Sequence, residues 1–360
     1  MTIKVRKRTW GCFEILLILN IGISQISCQR ETEIVTSSIK NIARIEDPVI
    51  SPDGEKFAFS VQYLLTSPKT DIWYLNLTTI ETKRLTNSGV NVNPSWCYDS
   101  QRVVYLKLGK PFIYITSINL NGRKEILLES RRKWYMFPHC SPNADKIVFS
   151  SKILRKNERY QLFLLDTKTR RQIQLTSPNH WKGDFLCHSW SPDGKKIYFT
   201  RRDPIDYKGH LEVMNIDGTG VRQLTRNLDV GNVQLSPNGR KIAFLDFSFG
   251  PRISDLWIMD TDSTNLKQLT KEEKISKCVW SPNNREIACS KYLKSRNANI
   301  WIISINGDRP RQITQSEVTD KAISFFDNGK KLLFLRNNNS IWLINSDGTN
   351  PYQIFPKPEK

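Results

Sequence analysis

Short apolar runs bounded by turn-forming clusters recur along the whole chain, and this alternation predicts strands rather than helices. The stretch from Trp190 to Phe199, WSPDGKKIYF, sets the cluster Ser-Pro-Asp-Gly before an apolar run. Proline fixes φ for the second position of a type I turn, and glycine adopts positive φ without a side-chain penalty. The sequence has no helical periodicity. We therefore expect a strand, a tight turn and a second strand in this segment.

The same cluster recurs in seven units. The residue in its Ser position stands at 51, 97, 141, 191, 236, 281 and 326, with spacings of 44 to 50 residues. Strand A precedes the cluster and strand B follows it; strand C is an apolar run such as NIWIIS (299–304), and strand D ends like RQIT (311–314). Four short strands per unit form a propeller blade. The sequence thus predicts an all-β fold, a seven-bladed β-propeller of four-stranded antiparallel blades, with a six-bladed ring as the alternative.

The repetition also bears on what the turn residues do. A catalytic group is not expected in seven copies, so we interpret the Ser-Pro-Asp-Gly cluster as structural. The Asp-Gly and Asn-Gly pairs between strands C and D are typical of hairpin turns. The tryptophans of strand C are interpreted as packing between blades.

The combined signature, WSPDGxxIxF followed by IWxmd and rqLT, resembles the repeat of the TolB propeller and its relatives, also described as WD-like Pro-Asp repeats. The resemblance covers roughly residues 48 to 355 and implies a propeller fold. TolB resembles a six-bladed propeller with an α/β domain before it, whereas seven units begin here some twenty residues after a predicted signal sequence. We therefore expect a stand-alone TolB-like propeller and carry no TolB partner contact over to individual residues.

The first 28 residues have the pattern of a secretory signal. Four bases within residues 4–8 precede an apolar stretch at 15–23. Cys28 follows Gln-Ile-Ser in a segment that resembles a bacterial lipoprotein signal, so lipidation at Cys28 and an uncleaved anchor are both considered. The predicted organisation is a signal peptide at 1–28, a linker or ring-closing strand at 29–47, a propeller at 48–356 and a tail at 357–360. No run of eighteen apolar residues is present, which excludes a bundle of membrane helices.

The charge balance is strongly basic, since 54 Lys and Arg against 35 Asp and Glu give a net charge of +19. The first 28 residues hold four bases and one acid, so 19 − 3 leaves +16 on the remainder. Such an excess favours acidic partners. In an up-and-down blade the A–B and C–D turns lie at one end, and the B–C and D–A connections lie at the other. The B–C connections carry a net charge of about +10, so we expect binding at their end.

The candidate partner-binding residues combine bases with aromatic neighbours, a pattern that suits acidic polymers and acidic peptides. A solvated rim that binds no ligand is the competing interpretation. The candidates are Arg131, Arg132, Lys133, Trp134, Lys152, Arg155, Lys156, Arg159, Lys291, Lys294 and Arg296.

Five cysteines follow Cys28, and we expect them to serve mainly as small apolar core residues, although an exported protein could pair some of them. They are Cys97, Cys140, Cys187, Cys278 and Cys289. The pairs His139-Cys140 and Cys187-His188 fall on the inner strands of adjacent blades. A zinc site or a Cys140–Cys187 disulfide there is the lesser alternative to core packing.

The sequence has no serine-hydrolase elbow, HExxH motif or glycine-rich phosphate loop, so we predict no catalytic, cofactor-binding or metal-binding residues. Our first hypothesis is an exported, non-enzymatic TolB-like propeller, monomeric and located in the periplasm or cell envelope. It would bind a protein or an acidic envelope polymer through the B–C/D–A end. Nucleic acid is not expected, and membrane contact is expected only through an N-terminal lipid anchor. The alternative is a metal-dependent polysaccharide lyase that resembles oligogalacturonate lyase, although no histidine follows His210.

Overall fold

A computed structural model describes residues 42–63, 69–153, 159–177, 183–248, 250, 253–293 and 297–357, with only the backbone at 187 and 188. It contains 28 strands in seven four-stranded antiparallel sheets, each built from four strands that are consecutive in the chain. The prediction of a seven-bladed propeller is confirmed. The signal peptide, Cys28 and residues 29–41 of the predicted linker or ring-closing strand lie outside the described residues. The described part contains no helix long and apolar enough to cross a membrane.

The blades follow one another along the chain, and their strands are numbered in chain order. Blade 1 comprises β1 (Ile42–Ile50), β2 (Lys56–Tyr63), β3 (Lys69–Asn76) and β4 (Glu81–Arg84). Blade 2 comprises β5 (Asn91–Trp96), β6 (Arg102–Leu108), β7 (Ile113–Asn119) and β8 (Lys124–Ser130). Blade 3 comprises β9 (Lys133–Cys140), β10 (Lys146–Ile153), β11 (Gln161–Asp166) and β12 (Gln172–Gln174). Blade 4 comprises β13 (Asp184–Trp190), β14 (Lys196–Arg202), β15 (Gly209–Asn215) and β16 (Arg222–Gln223).

The remaining three blades repeat this order. Blade 5 comprises β17 (Val230–Leu235), β18 (Lys241–Asp246), β19 (Asp255–Asp260) and β20 (Lys267–Gln268). Blade 6 comprises β21 (Ile275–Trp280), β22 (Glu286–Tyr292), β23 (Ala298–Ser304) and β24 (Arg311–Gln312). Blade 7 comprises β25 (Asp320–Phe326), β26 (Lys331–Arg336), β27 (Ser340–Asn345) and β28 (Tyr352–Phe355). The first described strand, β1, thus includes residues 42–47, which were expected to belong to the linker or ring-closing strand ahead of the propeller.

The hydrophobic core lies between blades rather than in one central mass. Side chains of a strand alternate between its two faces, so Phe57 and Phe59 of β2 pack towards blade 7 while Ala58 packs towards blade 2. Seven clusters of buried residues result, one between each pair of neighbouring blades. The A strands contact each other in sequence around the ring, and β25 contacts β1. The A strands are therefore the innermost.

The Ser-Pro-Asp-Gly turn uses its own polar atoms. Ser191 Oγ accepts a hydrogen bond from Lys196 N at 2.9 Å and donates to Asp193 Oδ1 at 2.5 Å. The turn also fixes the spacing to the next blade: a Cβ on Gly239, where φ is +68°, would lie 2.5 Å from Cγ of Pro192. Glycine at that position is required both by φ and by this close approach.

The Trp position at the end of strand A reaches the preceding blade. Trp96, Trp190 and Trp280 each donate Nε1–H to a backbone carbonyl two residues before the Ser position of that blade. In blade 3 the Trp position is occupied by Cys140, and in blade 2 the Ser position is occupied by Cys97. These two cysteines form a disulfide, with Cα atoms 5.0 Å apart. A covalent bond thus connects blades 2 and 3 at the point where three other blade junctions use a tryptophan.

The cysteines were expected to be mainly small apolar core residues, with pairing of some left open, and four of them form disulfides. A second disulfide joins Cys278 and Cys289, which are directly opposite each other on β21 and β22. All four cysteines are buried, as expected. The alternative Cys140–Cys187 disulfide is wrong, because Cys140 is bonded to Cys97, and the zinc site loses its Cys140 thiolate for the same reason.

The ring closes by side-chain packing. The four strands of blade 7 all lie between residues 320 and 355, so its described sheet takes none from the N-terminal end. Ile45 and Phe59 of blade 1 pack with Leu333 and Phe355 of blade 7 in one buried cluster. One backbone hydrogen bond, from Ile45 N to Asn338 O, joins the same two blades.

Candidate binding face

The long connections of the propeller lie at one end, which we call the loop face. It is formed by the B–C and D–A connections, while the short A–B and C–D turns form the opposite end, the turn face. This placement agrees with the topology predicted from the repeat. The residues 131–134 and 152 therefore belong to the loop face.

The D–A connection that enters blade 3 presents three consecutive bases. Ser130 Oγ accepts hydrogen bonds from the backbone N–H groups of Arg132 and Lys133, both at 3.1 Å, which fixes the turn. The Arg131 guanidinium lies over the ring of Phe112 in blade 2, 4.4 Å from its centroid. The two exposed arginines and Lys133 are consequently held at the border of blades 2 and 3.

Lys152 of β10 lies on the opposite face of blade 3 from Lys133, since it alternates with Ser150, which contacts blade 4. Trp134 is the register partner of Lys152, whose Nζ lies 4.6 Å from the centroid of the Tyr160 ring. Lys133 Nζ lies 5.1 Å from the centroid of the Phe163 ring. Cation–aromatic contacts hold the ammonium groups without neutralising them. Within the described residues, no carboxylate lies within 4.0 Å of Lys152 or of the group that we call the blade 2–3 patch: Arg131, Arg132 and Lys133.

The other predicted candidates are either neutralised or not described. Arg159 forms an ion pair with Asp184 at 3.1 Å, and Lys291 forms one with Glu273 at 2.6 Å. Lys291 belongs to blade 6 rather than to the blade 2–3 patch. Arg155, Lys156, Lys294 and Arg296 lie outside the described residues.

Sequence analysis missed a polar position on the inner strands, four residues before the Ser position. Asp47 stands there in blade 1 and Asn93 in blade 2, both at a β-bulge with φ near +50°. Asn93 donates from its backbone N and from Nδ2 to Asp47 Oδ2 at 3.2 and 3.1 Å. Burial raises the pKa of Asp47 to about 6, helped by the charge of Glu46 and opposed by that of Lys277. Counting four residues back from each Ser position would have found the polar residues of four blades, Asp47, Asn93, Asn232 and Lys277.

His139 lies two residues before the Ser position on the inner strand of blade 3. Burial lowers its pKa to about 4, so it is neutral at pH 7. Its Nδ1 lies 3.4 Å from Ser95 Oγ of the neighbouring inner strand. His139 thus acts as a neutral polar group between blades 2 and 3.

Blade 4 holds the one group of at least three metal-ligating side chains found among the described residues. Asp203, Asp206 and His210 place one ligand atom each within 4.8 Å of one another, in the B–C connection and at the start of β15. Beside them Arg201 forms a buried ion pair with Glu212 at 2.8 Å. This cluster lies at the outer part of the loop face, away from the inner strands where a zinc site was considered.

A family model described as "PD40: TolB beta propeller domain" matches residues 19–234, which is more than half of the chain. The chain belongs to the TolB beta propeller domain family. The Tol-Pal system protein TolB of Francisella tularensis subsp. tularensis (strain WY96-3418) is 29% identical over 129 residues, 34% of this chain and 29% of that protein. The chain therefore spans less than a third of that TolB-family relative.

Two solved structures illustrate how widely this fold is shared. TolB from Acinetobacter baumannii superposes with a TM-score of 0.53 at 18% identity, covering 78% of this chain and 65% of that one. An oligogalacturonate lyase in complex with manganese superposes with a TM-score of 0.65 at 14% identity, covering 82% and 86%. At such identities the likeness shows the propeller fold alone.

Proposed function

We propose that this TolB-family propeller is an exported, non-enzymatic binding protein that holds a protein or an acidic cell-envelope polymer at its loop face. The observation that carries the proposal is the blade 2–3 patch. Its three cations are held on aromatic rings or a fixed turn and have no carboxylate within 4.0 Å among the described residues. An uncompensated basic group on a rigid scaffold attracts acidic partners and speeds their association.

Three features support export. The sequence begins with a predicted secretory signal, and the described residues contain two disulfides, which persist in oxidising compartments. The relative from Francisella is named for the Tol-Pal system. We infer a location in the periplasm or cell envelope.

Charge reversal tests the binding role. The triple variant Arg131→Glu, Arg132→Glu, Lys133→Glu should lower the affinity for envelope-derived acidic polymer or partner protein by at least tenfold at low salt. The loss should shrink as salt screens the charges. Pull-down from an envelope extract identifies the partner, and fluorescence titration of that partner measures the affinity.

A control on the turn face changes the net charge equally. Lys168→Glu, Lys195→Glu, Arg240→Glu places three acids at exposed positions of that face and should leave the affinity within about twofold. Equal losses in the two triple variants would contradict the assignment to the loop face. Release of unsaturated uronate from oligogalacturonate would contradict the non-enzymatic part.

A further inference from the structure

Blade 4 departs from the repeat by burying an ion pair at a position where five of the other six blades place an aromatic side chain and blade 2 places Thr116. Glu212 pairs in register with Phe199, and it is only 1% exposed. A charged residue is rarely buried unless a specific interaction needs it. The residues opposite strand B at the corresponding position are Trp73, Phe163, Trp257, Trp301 and Trp342.

The Glu212 carboxylate is only half satisfied. Arg201 Nε donates to Oε1 at 2.8 Å, while Oε2 is buried and has no hydrogen-bond partner among the described residues. A buried oxygen without a partner costs about 1–3 kcal/mol. An unpartnered carboxylate oxygen of this kind indicates that a further donor or cation belongs at the site.

Arg201 connects Glu212 to a second carboxylate. Its Nη1 lies 3.0 Å from Asp203 Oδ2, so one guanidinium joins both acids. Asp206 Oδ2 lies 4.0 Å from Nε2 of His210, and His210 stands two residues from Glu212, on the same face of β15. Glu212 and the three side chains of the cluster, Asp203, Asp206 and His210, thus offer three carboxylates and one imidazole.

The charges of this cluster do not cancel. Three carboxylates against the single guanidinium of Arg201 leave two negative charges when His210 is neutral, and one divalent cation would balance them. Carboxylate and imidazole together suit Zn²⁺ or Mn²⁺, whereas Ca²⁺ and Mg²⁺ prefer oxygen alone. On the other side of the imidazole ring, His210 Nδ1 lies 3.5 Å from Gln223 Nε2, which is a long contact. The Nε2 atom of His210 is turned towards Asp206.

We propose that blade 4 binds a divalent first-row transition metal ion, Zn²⁺ or Mn²⁺, through Asp203, Asp206 and Nε2 of His210. Glu212 Oε2 then accepts a hydrogen bond from a water molecule on the ion. The proposal is independent of the partner proposed for the blade 2–3 patch.

The ion would fix the shape of the blade 4 B–C connection, which carries two protruding apolar side chains. Ile205 is 84% exposed and Tyr207 is 60% exposed. Exposed apolar side chains on a rigid loop are well suited to contact a partner. The metal site therefore gives the loop face a second, metal-dependent contact region away from blades 2 and 3.

Isothermal titration of the chelator-treated full chain with ZnCl₂ and with MnCl₂ tests the site. We expect one ion per chain for at least one of the two metals, and a raised melting temperature with that metal, because a ligand that binds only the folded state stabilises it. His210→Gln and Asp206→Asn should each weaken the binding at least tenfold. Since Asp206 is about half exposed, its replacement should leave the metal-free melting curve unchanged.

Asp217→Asn is the matched control, because Asp217 lies on the turn face of the same blade and bonds only within its own turn. It should bind the metal like the unchanged protein. Failure of both metals to bind, or binding that His210→Gln and Asp206→Asn leave unchanged, would overturn the proposal. Saturation by Ca²⁺ or Mg²⁺ with unchanged affinity in His210→Gln would overturn the role of the imidazole.

Discussion

Two titratable residues on the innermost strands, Asp47 and His139, have pKa values displaced so that they act on stability in opposite directions. Burial raises the pKa of Asp47 to about 6, so the folded protein binds a proton more tightly than the unfolded chain between pH 4 and 6. Burial lowers the pKa of His139 to about 4, so the unfolded chain binds the proton more tightly between pH 4 and 6.5. The contribution of Asp47 to the stability of the folded protein is therefore lost as pH rises, and that of His139 is lost as pH falls.

Replacing Asp47 with Asn should stabilise the protein at pH 7 by up to about 3 kcal/mol, since a pKa raised by about two units carries that penalty. Asn keeps the oxygen that accepts from Asn93. It should also steepen the loss of stability from pH 6 to 4, because the opposing effect of His139 then acts alone. Urea unfolding at pH 4, 5, 6 and 7 measures both effects.

Two further replacements, at His139 and at Asp193, test the direction of these pKa shifts. His139→Asn should flatten the loss of stability between pH 6.5 and 4. At Asp193 the hydrogen bond donated by Ser191 lowers the pKa, so Asp193→Asn should lower stability at neutral pH. If the stability of Asp47→Asn depended on pH in the same way as that of the unchanged protein, the pKa of Asp47 would not be raised.

At the scale of single elements, the Leu-Thr landmark of strand D is explained by one repeated contact. Thr86 Oγ1 accepts from Ile72 N and donates to Asp71 Oδ1, both at 2.9 Å, so it joins the end of β4 to β3. Thr176 makes the corresponding bonds with Leu162 N and Gln161. The Leu-Thr pair at the end of strand D therefore holds strand D to strand C through the hydrogen bonds of its threonine hydroxyl.

Replacing Thr86 with Val should destabilise the protein by about 1–3 kcal/mol. The buried N–H of Ile72 then loses its acceptor, and the Asp71 carboxylate loses one of its hydrogen-bond donors. Thr79→Val in the neighbouring C–D turn is the control, since Thr79 is exposed and should change stability by less than about 0.5 kcal/mol. Thermal unfolding measures both variants. Equal losses would show that the Thr86 hydroxyl is not the stabilising group.

The strands were predictable because each blade repeats the same turn at nearly constant spacing, and the spacing alone fixes number, order and direction. The Cys97–Cys140 pairing was missed because the partner considered for Cys140 was Cys187 of the following blade. Cys97 occupies the Ser position of blade 2, and Cys140 occupies the Trp position of blade 3. The two cysteines meet because these two positions are in contact between neighbouring blades. Glu212 was missed although the sequence shows it, since Glu212 stands third in HLEVMN (210–215), where DLWIMD (255–260) has Trp257.

At the scale of the whole molecule, the two disulfides differ in what they connect. Cys97–Cys140 joins blades 2 and 3 across a sequence separation of 43, whereas Cys278–Cys289 joins two strands of blade 6 across 11. Chain entropy assigns about 4 kcal/mol to the first and about 3 kcal/mol to the second. Cys97→Ser with Cys140→Ser should therefore lower the urea midpoint more than Cys278→Ser with Cys289→Ser. The reverse order would show that the bond between blades is not the stronger constraint.

The closure of the ring between Phe355 and Ile42 has a consequence for how the chain can be ordered. Every described sheet takes four consecutive strands, so no sheet depends on which blade comes first. A linker of the length seen at 85–90, between β4 and β5, would make the seam between blades 7 and 1 equivalent to the other blade junctions. New chain ends could then be opened at another D–A connection. The chain ends could therefore lie at any D–A connection, and such circular permutants should keep all seven sheets.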